Sequence, residues 1–167
     1  MTESKQVILN HQEINHKIRR IAYQIYESNV DGAEVILAGI DSNGYILAKK
    51  LKANLDKISD LEVVLCKVII DKKNPLEAIK TSIDASAYTN KSIVLIDDVL
   101  NSGTTLIYGV KHFLNVPLKR FKTAVLVNRN HKKFPVKADY KGISLSTSLH
   151  EHVEVILTGK TYEAYLK

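Results

Sequence analysis

The stretch IVLIDDVLNSGTTL, Ile93 to Leu106, opens with β-branched and aliphatic residues, then delivers two adjacent carboxylates and a cluster of small hydroxyl residues around one glycine. Ile93 to Ile96 reads as a buried strand, and Leu106, Val110, Phe113 and Leu114 mark a helix behind it. A strand end that feeds a helix start offers free backbone N–H groups and the positive end of a dipole, so a phosphate can be held there without any lysine. Asn101, Ser102, Gly103, Thr104 and Thr105 suit that task, because Gly103 permits close backbone approach and three hydroxyls add hydrogen bonds. Asp97 and Asp98 would face the same cavity. Two carboxylates beside a phosphate cradle make sense when the ligand also carries hydroxyls that donate hydrogen bonds, or a divalent cation that offsets the charge. A sugar phosphate with Mg²⁺ meets both needs.

Without a ligand, Asp97 and Asp98 would simply cap or neutralise a helix start. Paired acids at a strand end also occur in phospho-acceptor receiver domains and in some phosphatases. Receiver domains place the pair after their first strand, whereas here the first clear strand ends in Gly39-Ile40.

Outward from this stretch the chain alternates. Asn10 with Glu13 three residues later is a variant of the capping box and predicts a helix start. Ile14, Ile18, Ile21, Ala22 and Ile25 then recur at helical spacing, giving an amphipathic first helix. Asp31-Gly32 breaks that pattern before EVILAGI, a strand apolar on both faces. Gly44 to Leu55 is helical in pattern, Leu61 to Ile70 is the next strand, Phe121 to Val127 a fourth and Val153 to Leu157 a fifth. Asp71 to Asn90 is polar, without a sustained period, and reads as a loop or a loosely packed excursion. Alternating strands and helices predict an α/β fold with a mostly parallel sheet covered on both faces. Ligands bind such sheets beyond the carboxyl ends of the strands, which directs attention to the loops after Ile40, Ile96 and Val127.

With 167 residues the chain suits one domain with a sizeable core, and 45% apolar and 25% charged residues are ordinary for a folded protein. Its longest apolar runs fall far short of the roughly 20 residues of a membrane span, and MTESKQ has no signal pattern, so a cytoplasmic protein with no membrane partner is expected. Cys66, the only cysteine, sits inside LEVVLCKVII and reads as a small buried hydrophobe rather than a catalytic thiol. A formal charge of +6 and a pI near 9.3 favour phosphate-bearing partners, small or nucleic acid. The basic groups Lys17, Arg19 and Arg20; Lys49, Lys50 and Lys52; and Lys132 and Lys133 read first as solvated faces.

VLIDDVLNSGTT resembles the phosphoribosyl pyrophosphate (PRPP) signature of type I phosphoribosyltransferases. AGIDSNGYILAKKL, TAVLVNRNHKKFPVKADY and ILNHQEINHKIRRIAYQIYESN narrow the likeness to the PyrR family, bifunctional pyrimidine-operon attenuators with uracil phosphoribosyltransferase activity. The likeness covers nearly the whole chain apart from Asp71 to Asn90. It implies the type I phosphoribosyltransferase fold, a twisted, mostly parallel sheet flanked by helices with a small hood region, as a single domain over 1–167. It also implies site roles: Asp97 and Asp98 as the catalytic pair on the ribose hydroxyls, and Asn101, Ser102, Gly103, Thr104 and Thr105 around the 5-phosphate. Asp41, Ser42, Asn43 and Gly44 correspond to the pyrophosphate loop, which in the family commonly holds a non-proline cis peptide. Arg129 corresponds to a position on the base side of the cleft. Mg²⁺ is expected to arrive through PRPP, with no certain direct protein ligand.

The implied reaction displaces pyrophosphate from C1 of PRPP with a ring nitrogen of a base, most readily a pyrimidine such as uracil. Several residues depart from the family pattern. The pyrophosphate loop usually reads Lys-Thr-Arg-Gly in the PyrR family but Asp41-Ser42-Asn43-Gly44 here; Thr104 replaces an arginine, and Asn101 a tyrosine or threonine. Losing three cations near a polyanion weakens pyrophosphate binding, each close contact being worth on the order of a few kcal/mol at an effective dielectric near 20. Asp71 to Asn90 also lacks the acid- and arginine-rich motif that family members carry in the hood. The competing expectation is a regulator of pyrimidine genes that binds RNA through the first helix and Lys132, Lys133 and Lys137, sensing nucleotides or PRPP with weak or no catalysis. A nucleotide-binding α/β domain of another kind is the third reading. The resemblance further implies a homo-oligomer, a dimer or higher.

Overall fold

The computed structural model describes residues 4–148 and 150–167. After a short strand β1 (Gln6–Leu9), helix α1 (His11–Ser28) starts at the expected cap. The Glu13 amide donates to Asn10 Oδ1 at 2.9 Å and the Asn10 amide to Glu13 Oε1 at 3.2 Å. Its stripe of Ile14, Ile18, Ile21, Ala22 and Ile25 is fully buried. Burying one isoleucine contributes roughly 1.5–3 kcal/mol against about 1 for the cap, so the stripe decides where the helix packs and the cap decides where it begins.

Strand β2 (Glu34–Ile40), helix α2 (Asn43–Ile58) and strand β3 (Glu62–Ile69) follow, then a two-residue strand β4 (Lys80–Thr81) and a single helical turn α3 (Ala85–Tyr88). Strand β5 (Ser92–Leu100), helix α4 (Thr104–Phe113) and strands β6 (Arg120–Arg129) and β7 (Tyr140–Leu145) complete the main layer. The sheet order is β4-β3-β2-β5-β6-β7, parallel except for β4 at one edge. One core lies between the sheet and α1 and α2; a second, containing Leu106 and Phe113 of α4 and Tyr88 of α3, covers the opposite face.

The structure alters two expectations. The strand at Val153 to Leu157 exists as β8 (Val153–Ile156), but it joins a separate antiparallel sheet of order β1-β9-β8 with β9 (Glu163–Leu166). The fifth parallel strand is instead β7, whose Gly142 interrupts the apolar pattern because a Cβ there would lie 2.4 Å from the Leu126 carbonyl oxygen. Asp71 to Asn90 is not merely a loop either. Tyr88, 3% exposed, anchors it by packing edge-on to Phe113 at 5.0 Å, and β4 pairs with β3. Cys66 is buried, and burial pushes its thiol pKa up, as suits an inert side chain.

Within the parallel layer, the chain winds from β2 outward to β3 on one side and from β5 outward to β6 and β7 on the other. The connections therefore diverge between β2 and β5, creating a topological switch point where a crevice opens beyond the strand ends. Helices α2 and α4 start just after these two adjacent strands, so their positive ends flank one crevice.

Candidate active site at the switch point

Strand β5 runs through the acid pair to Leu100 and carries both carboxylates to the crevice. Asp97 is 4% exposed, and its Oδ1 accepts the Asp98 amide at 2.9 Å. Burial, with the Asp98 charge adding to it, pushes the Asp97 pKa up to about 8; Lys72, whose Nζ lies 3.9 Å from Asp97 Oδ1, pulls the other way. Asp97 therefore holds a proton at neutral pH. Asp98 is only half-buried, accepting from the Val99 amide at 2.9 Å and from Asn43 Nδ2 at 3.1 Å. The Asn43 amide also donates to the Val155 carbonyl at 2.9 Å, tying the first turn of α2 to β8 and to the acid pair.

Gly44 lets that turn approach: a Cβ there would stand 2.6 Å from the Ile96 carbonyl oxygen and 3.2 Å from Asp97 Oδ1. The preceding Asp41–Ser42 peptide is cis. Asp41 itself stands outside the cleft lining and meets Lys67 Nζ of β3 at 3.4 Å.

Gly103 closes β5 into α4 with φ +87°, the left-handed region, and a Cβ on it would lie 2.6 Å from Val136 Cγ1. The Ser102 and Thr104 hydroxyls share a hydrogen bond of 2.8 Å, and the Ser102 carbonyl accepts the Lys133 and Phe134 amides at 2.8 and 3.2 Å. The loop is thus braced from behind by 133–136, and the Thr104 amide turns back onto Ser102 Oγ at 3.3 Å. Asp97, Asp98, all of Asn101 to Thr105, Lys72 and Val153 line a single cleft of about 360 Å³, within the usual size for small-molecule sites.

Arg129 is the last residue of β6 rather than part of the loop beyond it, and it is 7% exposed. Its Nε donates to Thr147 Oγ1 at 2.9 Å and its Nη1 to Asn101 Oδ1 at 3.1 Å. Its Nη2 reaches Thr147 Oγ1 at 2.7 Å and the Ser148 and Glu151 carbonyls at 3.0 and 2.6 Å. With Asn101, Ser102 and His131 it lines a smaller cavity of about 130 Å³ beside the Asn101 to Thr105 loop.

Sequence reasoning did not find Lys67, Lys72 or Val153. Lys72 lies in the polar DKKNP run, where nothing distinguishes it from Lys73, and Val153 reaches the cleft only because β8 belongs to the small sheet. Among the described residues no group of three or more His, Cys, Asp or Glu converges as a metal cage. Two carboxylates on one wall fit a Mg²⁺ ion whose other ligands are substrate oxygens, since this ion keeps most of its shell from water and phosphates. No helix of the described residues is long and apolar enough to cross a membrane.

Residues 4–160 match the phosphoribosyl transferase domain family. The bifunctional protein PyrR of Corynebacterium glutamicum is 36% identical over 163 residues, spanning 90% of this chain and 85% of that protein. The PyrR protein of Fusobacterium nucleatum is 32% identical over 166 residues, spanning 94% and 93%. Among solved structures, a hypoxanthine-guanine phosphoribosyltransferase of Bacillus anthracis aligns with a TM-score of 0.72 at 20% identity, over 86% of this chain and 84% of that one. The hypoxanthine phosphoribosyltransferase of Trypanosoma cruzi gives 0.74 at 15% identity, over 89% and 84%. At such identities the two structures speak for the fold alone. The family match along almost the entire chain, with the Asn101 to Thr105 loop and the Asp97–Asp98 pair sharing one cleft, places this protein in the phosphoribosyltransferase family as a PyrR-like type I enzyme.

Proposed function

We propose that the protein, one phosphoribosyltransferase domain over 1–167 acting in the cytoplasm as a homo-oligomer, transfers the 5-phosphoribosyl group of PRPP to a pyrimidine such as uracil. The observation that carries the reading is the shared cleft: the Asn101 to Thr105 cradle and the Asp97–Asp98 pair stand on one wall, as a ligand with a phosphate and a vicinal diol requires. The C1–O bond to pyrophosphate breaks as the C1–N bond forms, the electron pair leaves with pyrophosphate, and the ring N–H proton passes to solvent. The transition state resembles an oxocarbenium ion, so the protein's work is positioning and charge stabilisation, and no nucleophilic side chain is required. The cradle fixes the 5-phosphate, Asp98 accepts from a ribose hydroxyl, and Asn43 and the Asp98 and Val99 amides hold the acid pair in place. Asp97 and Asp98 would hold Mg²⁺ together with substrate oxygens, and the ion would supply charge neutralisation of the leaving group.

The test is pyrophosphate release with PRPP, Mg²⁺ and each nucleobase in turn. Base-dependent release, highest with a pyrimidine, is expected, and Asp98→Asn is expected to lower it on the order of 100-fold, as for loss of one transition-state electrostatic contact. Absence of release with every base would overturn the reading, and unchanged turnover in Asp98→Asn would remove that residue from the site.

A second reading, an RNA-binding regulator that senses nucleotides or PRPP, is favoured by one contact. The exposed basic run Lys132, Lys133 and Lys137 adjoins the Asn101 to Thr105 loop, the Lys133 amide donating to the Ser102 carbonyl at 2.8 Å, so a ligand in the cradle would sit beside the basic surface. Filter binding to pyrimidine-operon leader RNA across a salt series is expected to give a steep salt slope and preference over unrelated RNA. Equal, weak affinity for both RNAs rejects sequence-specific regulation.

A further inference from the structure

Asp97 and Asp98 line the cleft, and Asp41 stands in the loop just before Asn43, whose side-chain amide reaches Asp98, yet the ligand the cleft is proposed to take carries a pyrophosphate, itself strongly anionic. The loop Asp41 to Gly44 contributes no cation. Among the described residues, the basic side chains that ion-pair with the three acids are Lys67, 3.4 Å from Asp41, and Lys72, 3.9 Å from Asp97. Both come from one piece of chain, β3 and the turn after it, on the neighbour of β2 away from the phosphate cradle. Lys67 also lies over the Tyr45 ring at 5.6 Å, with Lys49 over the same ring at 5.3 Å, so Tyr45 concentrates positive charge at the start of α2.

We infer that Lys67 and Lys72 bind the pyrophosphate of PRPP, supplying from β3 and its following turn the positive charge that the Asp41 to Gly44 loop lacks. The inference rests on the transferase reading above. The Lys67–Asp41 pair is exposed on both sides, its side chains 41% and 42% accessible, and such solvated ion pairs hold by only about 0–1 kcal/mol; Lys72 is 51% exposed and meets the buried Asp97 only at 3.9 Å. Release from Asp41 is therefore nearly free, whereas a pyrophosphate oxygen carries more charge and returns more. Lys72 lines the same cleft as the acid pair, and Lys67 stands beside the Asp41 loop on the strand next to β2.

The test compares two ligands by calorimetry: PRPP with Mg²⁺, and ribose 5-phosphate, which lacks the pyrophosphate. Lys67→Met and Lys72→Met are each expected to weaken PRPP binding on the order of tenfold, the effect of losing one charge-assisted contact, and to leave ribose 5-phosphate affinity unchanged. Lys67→Met in an Asp41→Asn background is expected to weaken PRPP binding by the same factor. If Lys67 served only to neutralise Asp41, that second background would abolish its effect. Unchanged PRPP affinity, or equal losses for both ligands, overturns the inference while leaving the transferase reading intact. Failure of the wild-type protein to bind either ligand overturns both.

Discussion

Asp97→Asn is expected to make the protein more stable and much less active, and the gain in stability is expected to grow with pH. An aspartate that titrates near 3.8 when unfolded and at about 8 when folded binds its proton more tightly in the native state. Between those values the native state holds more protons than the unfolded one, so wild-type stability from this group is greatest at low pH and is lost as pH rises toward 8. Asparagine has nothing to ionise, and its carbonyl oxygen can still accept the Asp98 amide that Asp97 Oδ1 now accepts. At 1.36 kcal/mol per pKa unit, the advantage of asparagine is on the order of 1 kcal/mol at pH 5 and a few kcal/mol at pH 7, levelling off above pH 8. At roughly 2–4 °C per kcal/mol for a chain of this size, the melting temperature at pH 7 rises by several degrees.

Activity moves the other way. A ribose hydroxyl donating to Asp97, and a cation held beside it, would favour the ionised carboxylate, so ligand binding is expected to expel the proton that burial retains. Asparagine lacks that charge, and pyrophosphate release is expected to fall on the order of 100-fold. Thermal unfolding of both proteins at pH 5 and pH 8 without divalent cation is the measurement. A melting-temperature difference that does not widen between the two pH values, or a less stable asparagine variant, refutes the buried proton.

What let the sequence point to this cleft lining was locality. The cradle and acid pair lie within ten consecutive residues, and their strand–loop–helix context follows from a run of aliphatic residues meeting small hydroxyls. The first helix was equally legible because its cap and its apolar period agree, and both exist in the structure. Strand β7 was not, since it is an edge strand exposed along one side and its Gly142 answers to the Leu126 backbone rather than to any local pattern. The small sheet joins residues 6–9 to 163–166, and no window along the chain reveals pairing across such a separation. Lys67, Lys72 and the partners of Arg129 were hidden for the same reason: their meaning comes from what stands opposite them in space.

Arg129→Ala is expected to be among the most destabilising single substitutions in the protein, because the guanidinium serves as a buried joint rather than a surface charge. It binds Thr147, Ser148 and Glu151 beyond β7 and Asn101 in the phosphate loop, and it reaches them with hydroxyl, amide and main-chain oxygens as acceptors. Truncation leaves those acceptors without their donor at a position 7% exposed. Each buried unsatisfied group costs about 1–3 kcal/mol, and solvent entering the gap relieves part of that, so a net loss of about 3–5 kcal/mol is expected. Lysine is not expected to rescue it, since one ammonium cannot span acceptors that a planar fork of five N–H groups reaches together. With the Asn101 tether gone, the cradle loses one of its braces, and affinity for ribose 5-phosphate should fall in Arg129→Lys even where the protein is folded. Urea unfolding of both variants and calorimetry on Arg129→Lys give the decision. If lysine restores stability to within about 1 kcal/mol of wild type, a difference too small for a lost multi-donor joint, the guanidinium geometry is not what holds the 147–151 segment to the cradle.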